Sequence, residues 1–521
     1  MKEFTKKEFI LFLLIFLLGA FLRVYRLDYP LGLHGDEAWT GIEAQRILKE
    51  GWIGIWSPSA LGQVTLPFYW TAAVFKIFGD SVTTLRLSFA LLNIVSLPFF
   101  YLTIRLLFKK EVALISFFLL AVSRIFIHFS HTAPTHALFP VPLFPALFFL
   151  LLTFRTRKNL YAILAGFFLG ISQYFYIGLR MLPIFFIVFL IYCSLQKRSI
   201  RIGVNNLLII VITGVVVSFP LLHLGFTNPE LYWTRTGNVS IFSQQGLSHI
   251  QTSYYSQLDM TQIIFEQIKK TALMFHVKGD SDLQDNFTSL PLFDFTTGAF
   301  FILGFILTIK NIKRASFLFL LLWFIIFLIN TIFTVDAPNF RRVQPSITAS
   351  YVVAALGIIW LYNYLRKVFE FKYFINLLLI LFLTFIAWSN IHLYFFKQAV
   401  SKQTRDTFSY PLVNTAEFLQ NQPRPLYVYF YSNRWSYEYE TLRFIAQDIA
   451  GKDRSTQFGE YSLENTRSNH NVVYLFFPEY SESFYSIQEL YPNGRTVTQK
   501  DKDGSILFFA YIVNPSTSTV E

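Results

Sequence analysis

The sequence predicts a polytopic α-helical membrane protein that ends in a small α/β domain. Of its 521 residues, 54% are hydrophobic and only 15% are charged, whereas a soluble globular protein carries about 25% charged residues. The apolar residues fall in runs close to the roughly 20 residues that a membrane-spanning helix needs. Lys and Arg collect in short loops between these runs. This pattern excludes a chain built mainly from soluble domains.

Eleven apolar runs are predicted to span the membrane. They lie at 8–25, 82–107, 111–129, 135–154, 159–178, 181–196, 203–223, 293–309, 315–334, 346–365 and 372–396. With these spans, the basic clusters between them all fall on one side, which the positive-inside rule identifies as the cytoplasm. Those clusters are Lys2/Lys6/Lys7, Lys109/Lys110, Arg155/Arg157/Lys158, Lys197/Arg198/Arg201, Lys310/Lys313/Arg314 and Arg366/Lys367/Lys372. The net charge of +12 is therefore read as a topology signal, and nucleic acid is not an expected partner.

The apolar segment Leu66 to Phe78 decides the orientation of everything that follows it. If it crossed the membrane, every later basic cluster would move to the outer side. We therefore predict an amphipathic helix in the membrane interface, and a similar one at Glu37–Lys49. Residues 26–81 then form the first outer loop of a membrane-embedded domain, 1–396.

Two further regions are predicted to lie outside. Residues 224–292 form a large polar and aromatic loop, and residues 397–521 form an extracytoplasmic soluble domain. In that domain, 425–431, 471–477 and 505–513 have the composition of strands, whereas Tyr437–Ala450 and Ser481–Leu490 are typical of helices. The single cysteine, Cys193, excludes a disulfide framework.

Two adjacent carboxylates, Asp36 and Glu37, open the first interfacial helix. An acidic residue at this position can simply cap the helix, because it accepts backbone N–H bonds and suits the helix dipole. A carboxylate near the membrane surface, partly removed from water, can also act as a general base. The spacing alone leaves both interpretations open.

The run LHGDEAWTGIEAQRILKEG, followed by LPFYWTAAVFKIFGDSVTTLRLSFALLN, resembles the lipid-linked-sugar glycosyltransferases of family 39. That family includes the protein O-mannosyltransferases and the lipid A aminoarabinose transferases. The matching features are the Asp-Glu pair after the first span, the short KIFG helix and the Arg86-Leu87 pair that opens the second span. The resemblance covers about residues 8–110 well and is diffuse through the later spans.

The resemblance implies a GT-C fold, with an active site at the outer membrane face. It implies that Asp36 is the catalytic base, with Glu37 as a supporting acidic group. It also implies an inverting transfer of a sugar from a polyprenyl-phosphate donor to a protein, lipid or glycan acceptor. No cofactor is required, although a divalent cation at Asp36 and Glu37 is compatible with this reading.

Positive side chains on the outer side are the expected ligands of the donor phosphate. Arg341 and Arg342 break the positive-inside pattern and are the first candidates, although a snorkelling arginine would look the same in sequence. The further substrate-binding candidates are Arg180, Arg86, Lys76, His34 and Tyr176.

Two other motifs favour structural roles. His128, His131 and His136 are expected to line a cavity as a polar turn. The Asp280-Ser281-Asp282 motif and Asp285 are expected in a surface loop that borders the site.

Two rival functions are a lipid-carrier or glycan transporter and a catalytically inactive envelope protein. A transporter would need ionisable residues deep within several spans, and the spans are almost purely apolar. The sequence therefore favours a glycosyltransferase of the plasma membrane.

Overall fold

The computed structural model describes residues 4–59, 62–195, 203–253, 258–455 and 470–514. The chain divides into two compact units. The first comprises Met1–Tyr29 and Ala44–Ser401, and the second comprises Pro30–Glu43 and Lys402–Glu521. The predicted boundary at 396/397 differs from this division, because part of the predicted first outer loop clusters with the tail.

The first unit is helical. Its helices are α1 (Lys6–Val24), α2 (Gly35–Glu50), α3 (Leu66–Phe78), α4 (Val82–Leu107), α5 (Lys110–Val122), α6 (Arg124–Ser130), α7 (Pro140–Thr156), α8 (Asn159–Ile171), α9 (Met181–Leu195), α10 (Val204–Thr227), α11 (Pro229–Val239), α12 (Gln244–Ser253), α13 (Met260–Leu273), α14 (Phe295–Lys310), α15 (Ala315–Ile332), α16 (Phe340–Val368) and α17 (Lys372–His392). Helix α2 begins in the second unit and ends in the first. Two short strands, β1 (Trp56–Ser57) and β2 (Gln63–Val64), pair antiparallel.

Every predicted span coincides with helical structure in the chain, which is a multi-pass membrane protein. Within the described ranges, six helices are long and apolar enough to cross a membrane by themselves, or seven if α5 and α6 form one broken span. Those two helices are bent by 57°, so the helix over the span predicted at 111–129 is broken at Ser123. The count of eleven spans and their orientation stay predictions, and the basic cluster at 197–201 lies outside the described residues.

Helix α16 forms the centre of the helical unit. Its residues from Val343 to Ile359 are buried without interruption, and it packs on α14 at a glycine contact. A Cβ added to Gly304 would lie 1.8 Å from the carbonyl oxygen of Val353, so only glycine allows the two backbones to approach this closely.

Two predictions outside the spans need refinement. The segment predicted as a large outer loop, 224–292, contains three helices, α11, α12 and α13. The helix predicted at Tyr437–Ala450 is shorter, because α20 covers only Glu440–Ile445 and a strand begins at Ala450. The predicted interfacial segment 66–78 is a helix, α3, whose apolar face is buried while Lys76 is exposed.

The second unit contains a five-stranded sheet. Its elements are α18 (Lys402–Thr407), α19 (Tyr410–Gln420), β3 (Leu426–Tyr431), α20 (Glu440–Ile445), β4 (Ala450–Asp453), β5 (Asn471–Phe476), α21 (Ser481–Leu490), β6 (Arg495–Lys500) and β7 (Ile506–Val513). The strand order is β4-β3-β5-β7-β6, with β3 parallel to β4 and β5, and β7 antiparallel to β5 and β6. Alternate residues of the central strands enter two separate apolar clusters, as period-two geometry requires. The predicted small α/β domain is thus present.

Candidate active site

The first candidate region is the start of α2. The carbonyl oxygen of His34 accepts hydrogen bonds from the backbone N–H groups of Glu37 and Ala38, both at 3.0 Å. The Nδ1 atom of His34 accepts a hydrogen bond from the backbone N–H of Asp36 at 3.1 Å. His34 therefore occupies the capping position that the sequence left open for Asp36.

The two carboxylates in this first turn differ in exposure. Asp36 is half-buried, whereas Glu37 is fully buried. Because a general base must reach the proton that it removes, Asp36 is the better placed of the two to meet an incoming acceptor. The buried Glu37 fits a supporting role.

The second candidate region is a cavity of about 450 Å³ within the helical unit. Four arginines line it, together with aromatic and aliphatic side chains: Arg180, Arg235, Arg341, Arg342, Tyr176, Trp233, Met181, Ile184, Ile329 and Phe333. A mainly apolar pocket with a few convergent charged groups is the usual form of a ligand site. This one suits an anion attached to an apolar chain.

Arg341 lies in the first turn of α16, not in a loop as predicted. Its guanidinium contacts Asp285 at 2.6 Å, Asp282 at 2.5 Å and the side-chain oxygen of Gln284 at 2.9 Å. Burial raises the pKa of Asp285, and the charge of Arg341 offsets part of that rise. Groups of the protein therefore already occupy the guanidinium of Arg341.

Arg342 and Arg180 have different surroundings. Arg342 donates to the Thr334 hydroxyl at 2.9 Å and to the carbonyl oxygen of Val335. Arg180 donates to the Thr236 hydroxyl at 3.2 Å and stacks over the ring of Tyr232 at 4.0 Å. No acidic side chain in the described part of the chain forms an ion pair with either arginine. Their charges therefore remain available to an anion.

A second cavity, of about 480 Å³, shares Arg341 and Arg342 with the first. Apart from Ile250 and Ala337, its other lining groups are polar: His249, Gln267, Lys270, Asp280, Ser281, Asp282, Asp336 and Asn339. Asp280 accepts hydrogen bonds from the backbone N–H of Phe340 at 2.6 Å and of Asp282 at 2.9 Å. Burial raises its pKa to about 7. The Asp280-Ser281-Asp282 motif thus holds the start of α16. The prediction of a surface position is wrong for Asp280 and Asp285, which are both buried.

Of the remaining predicted residues, Tyr176 lines a cavity, whereas Arg86 and Lys76 do not. Tyr176 lines the 450 Å³ cavity and donates to the carbonyl oxygen of Arg341 at 3.2 Å. Arg86 is fully buried and donates to the carbonyl oxygen of Leu27 at 3.3 Å, and Lys76 is exposed on α3. Neither Arg86 nor Lys76 lines either of the two cavities.

The three histidines are buried. His128 and His131 bond to the carbonyl oxygens of Gln284 at 2.7 Å and Leu22 at 2.9 Å, whereas His136 lines the 450 Å³ cavity. Across the described ranges, no group of three or more His, Cys, Asp or Glu side chains is placed to hold a metal ion.

Two contributors were not singled out from the sequence. Arg235 and Trp233 reach the cavity from α11, which lies in the segment read as an open loop. In the sequence, Trp233 and Arg235 are separated only by Thr234. They could have been recognised as cavity residues only if the helix α11 had been predicted.

Part of the chain matches a known protein family in sequence. Residues 64–223 match the model of the dolichyl-phosphate-mannose-protein mannosyltransferase family. The predicted resemblance to glycosyltransferase family 39 is confirmed. The match begins after Asp36 and Glu37, so it does not itself assign their roles. No curated protein matches the chain in sequence.

Solved structures share the fold. ArnT from Cupriavidus metallidurans, in a crystal structure bound to undecaprenyl phosphate, has a TM-score of 0.58 at 12% identity and covers 98% of this chain and 99% of that one. An Archaeoglobus fulgidus oligosaccharyltransferase tethered to an acceptor peptide has a TM-score of 0.51 at 15% identity, over 86% of this chain and 64% of that one. The arabinofuranosyltransferase AftD from Mycobacteria has a TM-score of 0.52 at 11% identity, over 98% and 40%. The fold is therefore GT-C-like.

Proposed function

We propose that the protein transfers a sugar from a polyprenyl-phosphate donor to an acceptor at the outer face of the membrane. The observation that carries the proposal is the 450 Å³ cavity, in which arginines meet apolar and aromatic walls. A polyprenyl phosphate offers the complementary chemistry, because a charged phosphate is joined directly to an apolar chain. The likeness in fold to ArnT, whose structure was determined with undecaprenyl phosphate, supports the same donor class.

In this proposal the phosphate is bound mainly by Arg342 and Arg180. No described carboxylate forms an ion pair with either of them, and arginine suits phosphate oxygens because its planar group donates in pairs. Arg341 shapes the site through its ion pairs with Asp282 and Asp285. The side chains of Tyr176 and Trp233 line the same cavity.

Asp36 is the proposed general base. As it accepts the proton of the acceptor hydroxyl, the acceptor oxygen forms a bond to the anomeric carbon. The bond from that carbon to the phosphate oxygen breaks, and the polyprenyl phosphate leaves with the electron pair. Attack from the face opposite the leaving group inverts the anomeric centre. Positive charge near the phosphate stabilises the charge that develops there.

The sugar and the donor can be identified in one experiment. Lipid-linked sugars are extracted from membranes of cells with the wild-type protein, without it, and with Asp36→Asn, and are compared by mass spectrometry. We expect one polyprenyl-phosphate sugar to accumulate both without the protein and with the Asp36→Asn variant. Identical lipid-linked sugars in all three strains would contradict the proposal.

A further inference from the structure

The segment Pro30–Glu43, which carries the proposed base, belongs to the same compact unit as the C-terminal sheet domain. Both backbone polar groups of Leu33 are bound by the tail. The N–H of Leu33 donates to the carbonyl oxygen of Phe408 at 2.5 Å, and the Thr441 hydroxyl donates to the carbonyl oxygen of Leu33 at 2.9 Å. Leu33 and Thr441 are fully buried, so water does not substitute for these hydrogen bonds.

Glycines allow the segment to lie this close to the tail. Gly32 has φ +101°, and a Cβ there would lie 2.2 Å from the carbonyl oxygen of Phe408. A Cβ added to Gly41 would lie 2.3 Å from the ring of Phe444, well inside van der Waals contact. The segment therefore packs closely against the tail at two places, Phe408 and Phe444.

Tail side chains also reach the first turn of α2. A Cβ added to Gly35 would lie 3.2 Å from the hydroxyl oxygen of Tyr439 and 3.3 Å from a carboxylate oxygen of Glu440. Burial raises the pKa of Tyr439, and the negative charges of Glu440 and Asp36 raise it further. Asp36 is therefore within electrostatic reach of Tyr439 in the tail.

We propose that the C-terminal domain is the scaffold that orients Asp36, with Thr441 and Phe444 as positioning residues. The inference rests on the proposed function. Asp36 follows Leu33 by three residues, so a hydrogen bond that fixes Leu33 also fixes the start of α2. Displacement of a reacting group by about 1 Å can cost on the order of 100-fold in rate. The domain thus contributes to catalysis by positioning Asp36.

Thr441→Val provides the first test, because it removes the hydroxyl and keeps the shape of the side chain. We expect kcat to fall by roughly 10- to 100-fold with the donor KM unchanged. We also expect faster hydrogen exchange at the amides of residues 33–41, which open locally when their tertiary contacts weaken. Thr441→Ser retains the hydroxyl and should rescue both quantities. Thr496→Val, at an exposed position on β6, is the matched control.

Complementation at Gly41 provides the second test. Gly41→Ala should lower kcat because its methyl group meets the ring of Phe444. Combining it with Phe444→Leu, which is smaller but still apolar and keeps part of the contact, makes room for the methyl group and should recover part of the loss. This pair keeps the inference testable if Thr441→Val fails to fold.

The outcomes separate this inference from the proposed function. Wild-type kcat and exchange in Thr441→Val would overturn the scaffold role, as would a double variant no better than Gly41→Ala alone. If the wild type transfers no sugar from any polyprenyl-phosphate donor, the proposed function fails. The exchange measurement then still reports whether Thr441 holds the segment.

Discussion

Arg341 and Arg342 are neighbours in the sequence, yet the structure predicts different consequences when each is replaced by Gln. Arg342→Gln removes a guanidinium that has no described carboxylate partner. A hydrogen bond to a charged group is worth about 1.5–3 kcal/mol, so the apparent Kd for the lipid phosphate should rise roughly 10- to 150-fold. Stability should change little, because the Thr334 hydroxyl and the Val335 carbonyl are the only groups of the described chain that bond this guanidinium.

Arg341→Gln should instead lower stability. It leaves the carboxyl of Asp285, whose side chain is 1% exposed, without its cation. Breaking a buried ion pair costs about 3–5 kcal/mol. We expect the lower end of that range, because the raised pKa of Asp285 lets the abandoned carboxyl take up a proton.

The assay measures thermal unfolding in detergent and titration with a short-chain polyprenyl phosphate for each variant. Lys269→Gln is the control, since it removes an exposed charge of the helical unit, whose ion pair within the described residues is with Glu266 at 3.3 Å. Weaker lipid binding by Arg342→Gln at normal stability, together with reduced stability of Arg341→Gln, is the expected pattern. Equal lipid binding by Arg342→Gln and wild type would refute the assignment of this arginine to the phosphate.

Three further predictions follow from other regions. Asp36→Asn should lower turnover by roughly 10²–10⁴-fold, the scale of positioned proton transfer, while the yield of folded protein stays normal. Glu37→Gln should lower turnover less. Full activity of Asp36→Asn would contradict the proposed mechanism. The pKa of Asp280 is higher in the folded protein than in the unfolded chain, so the folded state holds the proton of this carboxyl more tightly. The resulting stabilisation is complete below about pH 4 and is lost as the pH rises through about 7. Tm should therefore fall more steeply over this interval in the wild type than in Asp280→Asn, and equal slopes would contradict the assignment. A C-terminal tag should be accessible from outside the cell while Lys109 is protected from impermeant amine reagents, and a cytoplasmic tag would overturn the predicted orientation.

Much of the fold could be predicted because its signals are local. A membrane-spanning helix satisfies its own backbone hydrogen bonds, so an apolar run of sufficient length is enough to indicate it. The three predicted strands and α21 follow from local composition in the same way. The bend between α5 and α6 was not predicted, because the apolar run continues through it.

The candidate site depended more on tertiary structure. The sequence alone brought Asp36, Arg341 and Arg342 to attention, through an acidic pair beside a span and an exception to the charge pattern. Only the three-dimensional structure shows that Asp282 and Asp285 bind Arg341 while Arg342 and Arg180 share a cavity. It also shows that His34 caps the helix in front of Asp36. Ion pairing and burial depend on contacts between residues far apart in the chain, and no local pattern of residue types records those contacts.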